Sequence, residues 1–245
     1  MNDPIRIFIG TSANGEDAKI ETAYEYSIRK NASREVEITW MKQTHDEESI
    51  WGGWETARWS TPFSGFRWAI PEACGFKGRA IYTDCDMINI TDFAHLFDMD
   101  MEGKPFAARR GQRFGGHEFC VMLIDCEMAG ELLQPVRRMK KNEDSHHRNI
   151  NRFSGKEEYV LDLDHKWNCL DGENLTLDSI FQLHYTKMST QPWQPAWFTG
   201  TPEQHARQDV VDLFWDTLKE AEENGYNHTK RIPKEKFGEY NIIGR

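Results

Sequence analysis

Arg79-Ala80-Ile81-Tyr82-Thr83-Asp84-Cys85-Asp86-Met87-Ile88 is the stretch on which the fold turns. An apolar, β-like run closes in two carboxylates one residue apart, and Thr91–Phe97 after it has the pattern of a short helix. Strands of an open α/β sheet present ligand-binding residues at their carboxyl ends. Two hard oxygen ligands at such an end suit a divalent cation that also holds a substrate diphosphate, which points to a sugar-nucleotide enzyme. The chain has two more such pairs, Asp98-Met99-Asp100 and Asp162-Leu163-Asp164, and in an acidic chain most of these are solvated surface. Its strand-end setting separates the first pair from the others.

Outward toward the N-terminus, Ile5, Ile7 and Ile9 alternate with Arg6 and Phe8 until Gly10-Thr11-Ser12 stops the strand. Asp17 is placed to cap a helix whose Ile20, Ala23, Tyr24 and Ile28 fall on one face before Asn31. Val36, Ile38 and Trp40 alternate again. Strand, helix, strand is the opening of a parallel α/β sheet. Phe63, Phe66, Ile70 and Ala73 then take helical spacing, with Gly75 as the C-cap. Trp40, Trp51, Trp54, Trp59 and Trp68 crowd one stretch that also carries Gly52 and Gly53, and aromatic faces stacking on sugar rings would explain them beside plain core packing.

Outward toward the C-terminus, Phe106–Ala108 and Cys120–Ile124 have strand length. Lys140–Ser154 is almost wholly polar and reads as a mobile loop; His146 and His147 there could ligate a metal, but adjacent histidines in a polar loop are more often solvated. Ser179–Tyr185 reads as a last strand. Val210, Val211, Phe214, Trp215 and Leu218 form the apolar stripe of a C-terminal helix, a core or oligomer contact. Lys104, Arg109, Arg110 and Arg113 form either a site for an anionic acceptor or a solvated basic face.

At 245 residues the chain suffices for one large α/β domain, and no repeat or linker divides residues 1–245, with 200–245 a helical extension. A net charge of −10 argues against nucleic acid or an anionic membrane as the main partner. No run approaches the ~18 apolar residues of a membrane span, and nothing near the start resembles a signal peptide. Five cysteines without a C-x-x-C pair fit reduced thiols in a cytoplasmic protein.

Several of these segments, in order over most of residues 5–193, resemble the retaining glycosyltransferases of family 8, the group of glycogenin and bacterial lipopolysaccharide galactosyltransferases. They are Ala23–Ile28 with Lys30-Asn31, Phe66-Arg67-Trp68-Ala69-Ile70-Pro71, Tyr82–Asp86 followed by Asp92 and Leu96–Asp98, Val121–Ile124, Trp167-Asn168, and His184–Lys187 through Gln191-Pro192-Trp193. The resemblance implies a GT-A fold: a Rossmann-like, mostly parallel sheet flanked by helices, binding a nucleoside-diphospho-sugar through Mn²⁺ or Mg²⁺. It implies Asp84, Asp86 and His184 as metal ligands, with Asp84 also near the ribose, and Arg67 as a donor contact. Gly10, Thr11 and Ser12 fall where the family cradles the base, and Cys85 lies between the two ligands. The implied reaction moves a hexose, from a UDP-sugar, to a glycan or other hydroxyl acceptor.

Four departures from the family pattern stand out. Lys187 replaces a glycine, which would bring a cation to the β-phosphate, and Gln191 replaces the lysine before Pro-Trp. His117-Glu118-Phe119-Cys120 replaces a Phe-Asn-Ser/Ala-Gly string, placing Glu118 near the donor sugar. A carboxylate there is either catalytic, assisting an oxocarbenium-like transition state or attacking the anomeric carbon, or a polar residue entering a strand. The family's downstream Asp-Gln pair has no equivalent in 140–155. Two other readings compete with a transferase. Gly10–Gly15 lacks the Gly and Arg density of a sugar-1-phosphate nucleotidyltransferase, whereas a non-catalytic sugar-nucleotide or glycan-binding protein would keep the site without the chemistry.

Overall fold

The structure is a computed structural model and describes residues 3–13, 15–111, 115–194, 198 and 200–228. Arg113 and residues 229–245 of the C-terminal extension lie outside the described residues. The chain opens as β1 (Ile5–Gly10), α1 (Ala18–Asn31) and β2 (Val36–Met41). A 3-10 turn (Ser64–Ala69) runs into α2 (Ile70–Ala73), and β3 (Arg79–Asp84), β4 (Met87–Asn89) and α3 (Ala94–Phe97) follow. Next come β5 (Phe106–Arg110), β6 (His117–Asp125), α4 (Cys126–Leu132), α5 (Val136–Met139), α6 (Ser145–Phe153) and β7 (Val160–Leu163). The chain continues through β8 (Cys169–Leu170), β9 (Gln182–His184) and α7 (Gln208–Glu223).

Six strands form the main sheet in the order β2-β1-β3-β6-β5-β7. β1 is parallel to β2 and β3, and β5 is parallel to β7, while β6 runs antiparallel between β3 and β5. The central strands are apolar on both sides because helices cover both faces, as sheets with parallel crossovers require. Immediately after Asp84 the chain leaves this sheet. β4 enters a three-stranded sheet, β4-β9-β8, whose core includes Tyr185, Trp193 and the Val210/Phe214/Leu218 stripe of α7. Trp215 falls off that stripe and is 43% exposed.

The tryptophan-rich stretch is core rather than a sugar platform. Trp54, Trp59 and Trp68 are buried, and Trp51, Trp54 and Trp59 pack around Phe66 with ring centroids 5.6–5.9 Å apart. Residues 145–153 are a helix, not a mobile loop. His146, Ile150 and Phe153 recur at helical spacing and cover Trp68, so one narrow stripe organises an otherwise polar segment. His146 is accordingly buried, and its Nδ1 accepts from Trp68 Nε1 at 3.0 Å. Asp17 occupies the N-cap position of α1 but makes no side-chain cap. It is buried, and burial pushes its carboxyl up to about 7.

Candidate functional site

The carboxyl end of β3 is where both sheets meet. In the main sheet Gly10 pairs with Asp84, so the loop after β1 begins beside the first carboxylate. In the small sheet Met87 pairs with His184, and Tyr185 N donates to Asp86 O at 2.9 Å. A histidine nearly a hundred residues away is thereby carried to Asp86, with His184 Nε2 3.2 Å from Asp86 Oδ1. Strand alternation sends Cys85 the other way, into the apolar cluster that contains Tyr24 and Phe93.

Each ligand candidate is held by a neighbour. His184 is buried, and Asn168 Oδ1 accepts from its Nδ1 at 2.9 Å, a tautomer assigned from the acceptor-only oxygen. That hydrogen bond turns Nε2 and its lone pair toward the carboxylates. Asp86 Oδ1 is buried and faces His184 Nε2. Two lone-pair atoms at 3.2 Å attract only through a proton or a cation between them. Without a cation the proton serves: burial works against the imidazolium, but the charge of Asp86, its hydrogen bond and the charge of Asp84 together raise the His184 pKa above its ordinary value. Two carboxylates and an imidazole fixed by an outer hydrogen bond are a set of side chains that could hold a divalent ion.

Asp84 Oδ1 accepts from the Tyr82 hydroxyl and lies 3.3 Å from Arg67 Nη2. Burial keeps Tyr82 well above the usual phenol range, so it remains a donor. Arg67 is itself buried, donating to Ser64 O at 2.8 Å and to Phe119 O, with its guanidinium 4.4 Å from the Tyr82 ring centre. The antiparallel β3–β6 ladder ends at Thr83↔Val121, and one step further sets Cys120 across from Asp84. Ligand atoms of Asp84, Cys120 and His184 lie within 4.8 Å of one another.

The other predicted residues stand around this centre. Gly10 has to be glycine for packing, since a Cβ there would lie 2.6 Å from Phe63 Cδ2. The Thr11 hydroxyl donates to Glu21 and that of Ser12 to Glu16, both at 2.7 Å. Lys187, more than half exposed, pairs with Glu203. Glu118, about a third exposed, lies 3.8 Å from Arg109 Nε. Arg109 belongs to no exposed basic face: it is buried, bonded to Glu173 and to the carbonyl of Asn168. Arg110 pairs with Asp162 and Glu157.

Three contributors escaped sequence reasoning. Asn168 carried a signal only as half of the Trp167-Asn168 pair and Tyr82 only as the first residue of the Tyr82–Asp86 block, while Cys120 carried none as a ligand, because the direction of β6 cannot be read from its pattern.

This architecture is the GT-A fold of glycosyltransferases. No family model matches the chain. Solved structures that share the fold include the bifunctional glycosyltransferase WbbM (TM-score 0.64, 12% identity, covering 91% of this chain and 52% of that one). GlyE of Streptococcus pneumoniae TIGR4 gives 0.59 at 17% identity over 92% of this chain and 65% of that one. The galactosyltransferase LgtC, solved with donor and acceptor sugar analogues, gives 0.57 at 11% identity over 88% and 96%. At such identities the likeness is one of fold. By sequence, Protein CDI of Arabidopsis thaliana is 31% identical over 100 residues, 39% of this chain and 37% of that protein. The chain thus matches little more than a third of that curated relative and spans about half of WbbM. Among the described residues no helix is long and apolar enough to cross a membrane.

Proposed function

We propose that this chain is a metal-dependent glycosyltransferase, moving a hexose from a nucleoside-diphospho-sugar, a UDP-sugar, to a hydroxyl of a glycan or similar acceptor with retention at the anomeric carbon. The observation that supports this reading is the setting of His184 at the end of β3, 3.2 Å from Asp86 and within 4.8 Å of Asp84, beside the loop that follows β1. Those three residues would hold Mn²⁺ or Mg²⁺, which when bound neutralises the departing nucleotide diphosphate as the sugar–oxygen bond breaks. A neighbour of the same fold, LgtC, was solved with donor and acceptor sugar analogues, which supports a sugar donor here.

The chain's own residues divide the remaining work. Asn168 orients His184, and Tyr82 and Arg67 hold Asp84. With the hydroxyls of Thr11 and Ser12 donating to Glu21 and Glu16, and Thr11 N to Met41 O, the Gly10–Ser12 segment would meet the base through backbone groups outside the sheet ladder. Lys187 would exchange Glu203 for the β-phosphate. Glu118, coupled through Arg109 to the Asn168 turn, would stand on the donor-sugar side; front-face attack by the acceptor, assisted by the leaving diphosphate, needs no protein nucleophile. Residues 1–245 act as one glycosyltransferase domain. All five cysteines are free, which supports work in the reducing cytoplasm.

Asp86→Asn tests the reading, since it is nearly isosteric and removes one ligand charge. Calorimetry should show Mn²⁺-dependent UDP binding lost in Asp86→Asn and kept in Asp164→Asn. Equal UDP affinity in Asp86→Asn and wild type would refute the metal assignment. A panel of UDP- and GDP-sugars with Mn²⁺, assayed for sugar release, identifies the donor.

A further inference from the structure

Cys120 stands at a place that no reading of the carboxylate–histidine set assigns. It follows directly from the β3–β6 register: one step past Thr83↔Val121 on the antiparallel ladder lies Asp84 against Cys120. The sulfur, an Asp84 oxygen and a His184 ring nitrogen lie within 4.8 Å of one another. Donors bound at roughly 2.0–2.3 Å to one ion stand up to ~4.5 Å apart, so small side-chain rotations bring this trio to bonding distance. A further observation points at a ligand here: His184 Nε2, turned by Asn168, lies 3.2 Å from the buried Asp86 Oδ1, close enough for the two to share a cation. Arg67, 3.3 Å from Asp84, supplies a positive neighbour for added negative charge.

We propose that Cys120 is a further protein donor to the ion held by Asp84, Asp86 and His184, and that it biases the site toward thiophilic divalent ions, zinc and cobalt, over magnesium and manganese. The inference rests on the metal-site reading above. A carboxylate–imidazole site already binds Co²⁺ and Zn²⁺ more tightly than Mn²⁺, and thiolate selects zinc-like ions further, so one sulfur in the set widens that preference. As the sulfur–metal bond forms, the thiol proton passes to solvent water and no electrons change hands. Zn²⁺ would then compete with Mn²⁺ for the site.

The test uses metal ions alone on the full chain. Cobalt(II) added to wild type should produce a thiolate-to-metal charge-transfer absorption, and Cys120→Ala should lack it although Cys74, Cys85, Cys126 and Cys169 remain. By calorimetry Cys120→Ala should bind Zn²⁺ about ten- to a hundredfold more weakly and Mn²⁺ within about threefold of wild type, since only the softer ion depends on sulfur. Cys120→Ser provides the same comparison if the alanine variant does not fold. Wild type that binds cobalt without the absorption, or a Cys120 variant that keeps it, overturns the role of Cys120 while leaving the carboxylate–histidine site standing. Wild type that binds none of Mn²⁺, Co²⁺ and Zn²⁺ overturns both.

Discussion

Replacing Asn168 with alanine perturbs the site without touching a candidate ligand. Its side-chain oxygen accepts from His184 Nδ1 at 2.9 Å, and both residues are buried. The turn itself is held by other contacts, Arg109 donating to the Asn168 carbonyl and Trp167 stacking on Phe93 at 5.7 Å, so the backbone should survive the truncation. Removing the oxygen leaves a buried imidazole N–H unpaired, which costs about 1–3 kcal/mol. The ring can recover that loss by rotating or changing tautomer, and either movement takes the Nε2 lone pair away from the carboxylates. Loss of such an outer partner weakens metal affinity about ten- to a hundredfold. At ~1.4 kcal/mol per decade that is about 1.4–2.8 kcal/mol, the same size as the hydrogen-bond estimate. Mn²⁺ titration by calorimetry measures the affinity, and urea unfolding of the metal-free chain measures the stability. Asn168→Asp keeps an acceptor in place and adds negative charge, so it should bind Mn²⁺ no more weakly than wild type. If Asn168→Ala binds Mn²⁺ within about threefold of wild type, the outer-partner reasoning fails.

Lys187→Ala should weaken UDP binding by about ten- to a hundredfold, the equivalent of ~1.5–3 kcal/mol for a charge-assisted phosphate contact, and leave uridine binding unchanged. Equal losses for both ligands would make Lys187 structural. Its exposed pair with Glu203 should contribute little to stability. Glu118→Gln keeps size and hydrogen bonding; if the carboxylate is catalytic, donor binding persists while turnover falls by orders of magnitude, and a variant with most of its turnover removes Glu118 from the mechanism. Burial, with the charges of Arg67 and His147, pushes the His146 pKa down to about 2. Its folded value lies below the unfolded ~6.5, so the unfolded chain takes up the extra proton; the contribution is complete above that pH and falls as pH drops, by up to about 1.4 kcal/mol per unit. His146→Gln should therefore show a shallower loss of urea stability between about pH 6 and pH 4, and identical slopes in the two proteins would contradict the burial of His146.

Local patterns determined much of this protein before any contact was known. Alternation in Ile5–Ile9 and Val36–Trp40 around the periodic Ala18–Asn31 yields the parallel opening, because burial on a sheet and on a helix leaves different periods in sequence. Asp84 and Asp86 were legible for the same reason, as polar residues closing an apolar run. His184 was legible from its resemblance motif, although the β4–β9 pairing that brings it to Asp86 was not. Tertiary structure alone decided which polar stretches are interior. Ser145–Phe153 looked like a loop until Trp68 gave its stripe something to cover, and Arg109 looked like surface until Glu173 and the Asn168 carbonyl enclosed it. The tryptophans of residues 51–68 belong to the core because that segment folds back on Phe66, a choice that composition does not encode. Cys120 meets Asp84 only because β6 runs antiparallel to β3, and strand direction and register are set by contacts between distant residues rather than by either strand's own sequence.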